Sequence, residues 1–600
     1  MCGHNLAGWN RLPARIARMA RHSETGQTAD VVRPDGRHVI TEAGRTRARG
    51  ARRLTAKTRL DLLVGGLVLL IYVAAQIAFL QGPHPFDPAK YFKTAVDFPH
   101  VPADLWTLRI GLIAPVRLAV LVFGPSEAAL YAVPFATGLA LAAAVYWTAL
   151  LLFEDRVVAA AAALVTVLNT NYLLNSSHIF PDTTATAVFT AGFLCLLLGA
   201  KRSPEQVEGW APTVFTVAAG VLFGWAYLTR EFSPLLFPAA LAAVVMLRYP
   251  LRRVAILAGA AVLTFCLEPL YGLARYGDPL VHAEQLLGRG DRTTSPGRVG
   301  RVEHIVGQLN NPLDTILVFP RLLLSWSSGW AFLLLIAIFV VALGWVRDRR
   351  LWLLAPWFLS FWIFMAVLGL GTLPSGRWIL NITNIRYWSP IFPPLVMGAF
   401  GGLALLVQRF MPTWRGIRLT PVVAAIVAAL VLVPGFVEYS SCAGKDVWRN
   451  DPGGRWKELR AWFGTGEAEA YDIVWSDGKT QRLVPAFTST TFGHLLWDGK
   501  VEKFKRSSKL VPAADVRRSL ILIHKDRFQW EVPEAQKRLD GLRREWAPVF
   551  ISHDGRMILL AHEPVTTSEP ADSGQTWWIL TKRKAGVLGS CGLSPYEPGG

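Results

Sequence analysis

Residues 109–123 read RIGLIAPVRLAVLVF, and the topology of the chain turns on whether this stretch crosses a membrane or lies along its surface. It is apolar but short, holds Arg109 and Arg117, and contains Pro115. A crossing helix needs about 20 consecutive apolar residues, so a stretch of this kind is expected as a helix in the interface. That choice places the acids of two polar islands on one face: Asp87 in GPHPFDPAKY, from Gly82 to Tyr91, and Asp182 in HIFPDTT, from His178 to Thr184. Counting residues 109–123 as a span separates them.

Working outward, the 600 residues are 52% hydrophobic and only 18% charged, with 23 Trp. Apolar runs of roughly 18 to 25 residues recur through the first three quarters, the length that crosses about 30 Å of hydrocarbon. The expected fold is therefore an α-helical multi-pass membrane protein with interfacial helices. Spans are expected at Leu60–Leu80, Glu127–Phe153, Val157–Leu174, Thr183–Ala200, Trp210–Leu228, Ser233–Leu247 and Ala255–Leu273. Further spans are expected at Ser327–Val346, Leu351–Leu370, Tyr387–Val407 and Thr420–Val437, about eleven in all. Each connection then expected inside carries basic residues: Arg156, the Lys201 and Arg202 pair, Arg248 with Arg252 and Arg253, Arg347 with Arg349 and Arg350, and Arg409 with Arg415 and Arg418. Positive charge retained on the cytoplasmic side explains much of the net +19 and argues against nucleic acid as a partner. One loop runs against this pattern, since Ala274 to Leu317 is expected outside yet holds five arginines, largely offset by Asp278, Glu284, Asp291 and Glu303.

Residues 1–59 lack an apolar core and read as a disordered, basic cytoplasmic arm, ending in RTRARGARR (Arg45 to Arg53) just ahead of the first span. Residues 60–437 form the membrane domain. Residues 438–565 read as a small extracytoplasmic α/β domain, with a helix at Arg455–Phe463, strands at Tyr471–Trp475 and Ser519–His524, a helix at Pro533–Trp546 and a closing strand at Arg556–His562. Residues 566–600, rich in Ser, Pro and Gly, read as a flexible tail. The five cysteines form no CxxC pair, which excludes a zinc ribbon. Cys442 and Cys591 share an oxidising compartment if the C-terminal region lies outside, and are then candidates for a disulfide.

The islands hold the chemistry. A carboxylate near lipid is costly, roughly 2.5 to 3.5 kcal/mol at the centre of a spanning helix and less near the interface. Asp87 and Tyr91 are four residues apart, so a helix beginning at Pro88 stacks them on one face with Asp87 as its cap. Capping is the plain alternative for Asp182 too. The functional alternative is that a partly desolvated carboxylate acts as a general base toward a hydroxyl or amine. Arg109, Arg230 and Arg386 are expected near the same face, where a guanidinium can hold a phosphate, or simply snorkel. The sequence contains no P-loop, GxGxxG context, HExxH or nucleophile elbow, which leaves soluble nucleotide and hydrolase chemistry without support.

The order of these features resembles a known family. Asp87 and Tyr91 in the first outer loop, LRIGLIAPVRLAVLVFGPSEAALY, FPDTTATAVFTAGFLCLLL, GWAYLTREFSPLLFP and NIRYWSPIFPPLVMGAF together look like the dolichyl-phosphate-mannose protein mannosyltransferase branch of the polyprenyl-phosphate-dependent, type C glycosyltransferases. The lipid A aminoarabinose transferases belong to the same broad group. The resemblance covers about Leu60 to Val437. It implies inverting transfer of a sugar from a polyprenyl-phosphate donor to a glycan, lipid or protein acceptor on the extracytoplasmic face of the cell membrane. It implies Asp87 as catalytic base and Asp182 as a second acid that positions the acceptor or a divalent cation. Tyr91 is implied as a wall of the cleft, and Arg109 and Arg386 with Tyr387 as groups for the carrier phosphate; Lys90 and Arg230 join this substrate-binding set. Two departures stand out: Asp87 precedes Pro88 instead of a second acid, and Thr229-Arg230-Glu231 stands where many relatives carry a Lys-Gly pair.

A transporter or flippase for a lipid-linked or anionic solute also accounts for many spans with polar groups among them. Against it stand the absence of evident inverted halves and the placement of the acids at one face instead of at midplane. A scaffold needs only the spans and the C-terminal domain.

Overall fold

The computed structural model describes residues 56–80, 83, 87–104, 106–200, 210–286, 316–324, 329–368, 385–411, 413–414, 417–442, 452–478, 480–504, 517–524, 546–553 and 555–562. The first helix, α1 (Ala56–Ala78), shows what kind of solvent the fold expects. It buries Asp61, Gly65, Val68, Tyr72 and Gln76 on one stripe and exposes Leu63, Leu67, Leu70 and Ile77. Polar groups inward and leucines outward invert the pattern of a water-soluble helix and fit a lipid surround. The buried stripe is partnered: Arg156 pairs with Asp61, and Tyr146 donates to the Asp61 carbonyl at 2.8 Å.

The chain continues through α2 (Asp87–Asp97), α3 (Ile110–Phe123), α4 (Glu127–Phe153), α5 (Arg156–Leu168), α6 (Thr170–Asn175), α7 (Pro181–Ala200) and α8 (Trp210–Thr229). Local chemistry sets these limits. Ser126 caps α4 by accepting from Ala129 N, Asp155 caps α5 by accepting from Val157 N and Val158 N, and Asn169 caps α6 by accepting from Tyr172 N. The last cap breaks the run expected as one span from Val157 to Leu174 into two helices. Next come α9 (Phe237–Met246), preceded by the 3-10 turn Ser233–Leu236, then α10 (Leu251–Phe265), α11 (Leu267–Tyr276), α12 (Val281–Leu286), α13 (Val318–Leu324), α14 (Trp330–Trp345) and α15 (Arg349–Leu368). A 3-10 turn, Ile385–Ile391, leads into α16 (Phe392–Phe410), and the short hairpin of β1 (Thr413–Trp414) and β2 (Ile417–Arg418) into α17 (Leu419–Cys442).

Among the described residues, seven helical segments are long and apolar enough to cross a membrane: Ala56–Ala78, Glu127–Phe153, Pro181–Ala200, Trp210–Thr229, Leu251–Tyr276, Ile385–Phe410 and Leu419–Val437. The other expected spans fall on the shorter Arg156–Leu168, Ser233–Met246 and Trp330–Trp345 and on the 20-residue Arg349–Leu368. Seven of the expected spans thus meet the length and composition of a crossing among the described residues, the others are shorter or less apolar helices, and the multi-pass helical architecture stands. Within it, close approach replaces hydrophobic exclusion as the source of packing. Gly401 of α16 lies so near the Phe153 ring that a Cβ there would come within 2.0 Å of it.

After α17 the architecture changes. Helix α18 (Pro452–Phe463) and the short α19 (Val484–Phe487) accompany a five-stranded mixed sheet of β3 (Ile473–Ser476), β4 (Lys500–Lys503), β5 (Ser519–His524), β6 (Ala547–Ile551) and β7 (Met557–Ala561). The order is β4-β3-β5-β7-β6, with β3 parallel to β4 and β5, and β7 antiparallel to β5 and β6. Strand alternation splits β5 between two cores, Leu520 and Leu522 on one face and Ile521 and Ile523 on the other. The helix expected at Pro533–Trp546 lies largely outside the described residues, as do Cys591, nearly all of the N-terminal arm and the tail.

The first of those faces positions the site. Its core is continuous with Ala89, Tyr91 and Phe92 of α2 and Leu112, Ile113 and Val116 of α3. Helix α3 has 14 residues, about 21 Å at 1.5 Å per residue, too short to cross the hydrocarbon. It buries one side against α2 and the sheet domain while leaving Leu118, Leu121 and Val122 exposed.

Candidate active site

Two close packings bring the polar islands together. At Gly111, the first turn of α3 touches the end of α8: a Cβ there would lie 2.6 Å from both the Leu228 carbonyl carbon and the Thr229 nitrogen. Trp225 Nε1 donates to the Gly111 carbonyl at 3.0 Å across the same contact. Arg109, just ahead of α3, thereby faces Glu231, just beyond α8. The second packing holds the loop ahead of α7. Gln76 of α1 donates to Ser177 Oγ at 2.9 Å and accepts from Ser176 Oγ at 2.6 Å, and Tyr172 donates to the Ser389 carbonyl at 2.8 Å. Ser389 Oγ in turn donates to the Arg386 carbonyl at 2.6 Å.

Arg386 is where the two acids meet. Its Nη2 lies 3.5 Å from Asp87 Oδ2 and its Nε 3.1 Å from Asp182 Oδ2. The guanidinium rests 4.2 Å from the centre of the Phe180 ring and also donates to the Tyr387 hydroxyl at 3.3 Å. Arg230 approaches Asp182 from the other side, Nε to Oδ1 at 2.9 Å, with Phe232 and Tyr387 rings 4.7 and 4.9 Å from it. The environments of the acids differ: the Asp182 side chain is 0% exposed, whereas that of Asp87 is 32% exposed. Asp182 is the second residue of α7, and its carboxylate goes to the arginines, while the Asp182 carbonyl accepts from Thr186 Oγ1 at 2.7 Å.

Arg109 belongs to a second, adjoining cluster. Its fork meets Glu231 in bidentate fashion, Nε to Oε2 at 3.0 Å and Nη2 to Oε1 at 2.6 Å, while Nη1 donates to the Tyr91 hydroxyl. Arg230 Nη1 joins at 3.2 Å from Glu231 Oε1, so Glu231 couples both clusters. Burial alone would raise the carboxyl pKa of Glu231, but the two arginines outweigh it and hold it well below the usual carboxylate range. Tyr91 is fully buried and its phenol is pushed up, chiefly by burial. Lys90 lies on the rim, paired with Asp104 at 2.7 Å. Burial lowers its pKa, with the Arg482 charge of the sheet domain contributing.

Every residue expected in the site is thus found in one connected region, with Arg109 and Tyr91 tied to each other and Arg230, Arg386 and Tyr387 around Asp182. Glu231 was not among them. The argument that singles out an acid beside lipid applies equally to Glu231, which follows the apolar Trp210–Thr229 helix. Among the described residues no group of three or more His, Cys, Asp or Glu side chains could hold a metal ion. The two acids carry arginine between them, so the donor set does not fit a divalent cation, the alternative to the acceptor as what Asp182 positions.

Residues 113–271 match the family model of the dolichyl-phosphate-mannose-protein mannosyltransferases, a segment that includes Asp182, Arg230 and Glu231. No curated protein matches the chain by sequence. Among solved structures, ArnT from Cupriavidus metallidurans in the apo state aligns at 12% identity and a TM-score of 0.51, covering 83% of this chain and 97% of ArnT. The same protein bound to undecaprenyl phosphate aligns at 12% identity and a TM-score of 0.50, covering 84% and 99%. The archaeal oligosaccharyltransferase AglB from Archaeoglobus fulgidus, in complex with an inhibitory peptide and a dolichol-phosphate, aligns at 13% identity and 0.43, covering 86% and 76%. The resemblance seen in the sequence therefore holds: over residues 113–271 the chain matches the dolichyl-phosphate-mannose-protein mannosyltransferase family, and it has the fold of ArnT.

Proposed function

We propose that this protein transfers a sugar from a polyprenyl-phosphate carrier to a glycan, lipid or protein acceptor at the extracytoplasmic face of the cell membrane, with Asp87 as general base. The observation that carries the reading is the meeting of an accessible and a buried carboxylate at one arginine. A base must reach the acceptor, and Asp87, 32% exposed and 3.5 Å from Arg386, has that access. Asp182, sealed between Arg230 and Arg386, instead fixes the two cations. Arg386, partly exposed and seated on Phe180, faces the carrier phosphate, and Tyr387 and the rim residue Lys90 line the cleft.

The chemistry needs no nucleotide, because the free energy of transfer resides in the sugar-phosphate bond. Asp87 takes the proton from the acceptor hydroxyl or amine as that atom bonds to the anomeric carbon. The bond from the anomeric carbon to the phosphate oxygen breaks, and the electron pair leaves on polyprenyl phosphate beside Arg386. Attack opposite the leaving group inverts the anomeric centre. Fixed charges in a site walled by α2 and the sheet domain stabilise the leaving phosphate. In this reading the N-terminus is cytoplasmic, residues 60–437 carry the reaction, and residues 438–565 cover it from outside.

The test is Asp87→Asn in membranes supplied with radiolabelled lipid-linked sugar. Loss of general-base catalysis lowers transfer by about 10² to 10⁴-fold, with protein level and insertion unchanged. Full transfer by that variant sinks the assignment.

A further inference from the structure

Of the arginines expected to meet the carrier phosphate, Arg109 has all three guanidinium nitrogens engaged within the protein. Its planar fork has the geometry that recognises a phosphate, yet Glu231 fills that fork at 3.0 and 2.6 Å. The remaining Nη1 goes to Tyr91, on the helix that carries Asp87. The Arg109 and Glu231 side chains are 4% and 12% exposed, so little water screens the pair. Around them, Arg109, Arg230 and Arg386 face Asp87, Asp182 and Glu231, three positive charges against three negative.

We infer that Glu231 is a positioning and affinity-setting residue: it neutralises Arg109, holds it on Tyr91 and so keeps it off the carrier phosphate, leaving Arg386 as the phosphate-facing cation. This rests on the proposed lipid-phosphate donor. Two consequences follow from the charge count. Removing the Glu231 charge alone leaves the cluster one positive charge in excess, in surroundings where a charge a few ångströms away is felt strongly. Removing Arg109 and Glu231 together restores the balance and leaves no buried charge unpaired.

The experiment measures binding of undecaprenyl phosphate to the full-length protein in nanodiscs. Glu231→Gln is expected to bind it about tenfold more tightly than wild type, a direction that simple structural damage does not produce. The double variant Arg109→Gln, Glu231→Gln is expected to bind as wild type does. It keeps the test decisive if the single variant does not fold, since the double variant leaves no unmatched charge behind. Weaker or unchanged binding by a folded Glu231→Gln protein overturns the inference. Loss of binding in the double variant does so too, because it puts Arg109 on the phosphate. If wild type itself binds no undecaprenyl phosphate, the donor reading falls as well; if wild type binds and only the variants disagree, the inference about Glu231 falls alone.

Discussion

Asp87 and Asp182 share an arginine and differ in what else touches them, and that difference separates their expected mutant behaviour. Asp182→Asn leaves Arg230 and Arg386 facing a neutral amide in a fully buried position, a cost of about 3 to 5 kcal/mol. Asp87→Asn removes one long contact at a partly exposed position and is expected to cost no more than about 1 kcal/mol. Thermal unfolding in detergent distinguishes them: a large drop for Asp182→Asn with little change for Asp87→Asn. His178 supplies a pH dependence. Burial, with the Arg386 charge adding, lowers its pKa from 6.5 to about 4. The folded protein therefore holds it neutral, and the stability present above pH 6.5 is lost as pH falls toward 4, by about 3 kcal/mol in total. His178→Gln is expected to flatten the unfolding temperature across that window; an unchanged slope excludes His178 as its source. The site acids and arginines were legible because an ionised group beside lipid needs a reason. Glu231 is harder to single out because it stands beside Arg230 in sequence, which offers a local partner, while its main partner Arg109 lies 122 positions away.

Helix α3 is the element on which the arrangement depends. Gly111→Ala sets a Cβ against backbone atoms of Leu228 and Thr229 at 2.6 Å, which neither helix can relieve by a side-chain rotation. The expected cost is about 1 to 3 kcal/mol, together with separation of Arg109 from Glu231. Undecaprenyl phosphate affinity and melting temperature should therefore change together, and a variant unaltered in both contradicts the tight contact. The shortness of α3 was readable from its proline and its two arginines, and the long apolar Glu127–Phe153 and the all-buried Ser519–His524 have the limits expected of them. The break at Asn169 was not legible, because one capping amide inside an apolar run changes the periodicity by a single residue. Edge strands β4, with the sequence KVEK, and β6 likewise carry too little alternating apolar character to announce themselves.

At the scale of the molecule, the sheet domain and the membrane helices share a core instead of hanging from a linker. Arg460 pairs with Glu127 at 2.6 Å, and Ala128 N donates to the Thr491 carbonyl at 3.0 Å, so the domain is pinned to the start of α4 beside α2. Arg460→Ala strands a mostly buried Glu127 and is expected to loosen that seat, read as faster hydrogen exchange in Asp87–Asp97; unchanged exchange there would mean that the apolar core alone holds the domain. Multi-pass architecture was legible from run length and composition. The joining of two domains over one site was not, because it depends on contacts between residues more than three hundred positions apart, such as Arg460 with Glu127. The most direct measurement of the central claim uses the purified protein in vesicles with a panel of polyprenyl-phosphate sugars and candidate acceptors, following the fate of both halves of the donor. A donor is expected to be consumed, its sugar appearing on an acceptor and its carrier as free polyprenyl phosphate, and Asp87→Asn is expected to stop both. Donors that stay intact while crossing the bilayer in a protein-dependent way would contradict the claim and identify a transporter instead.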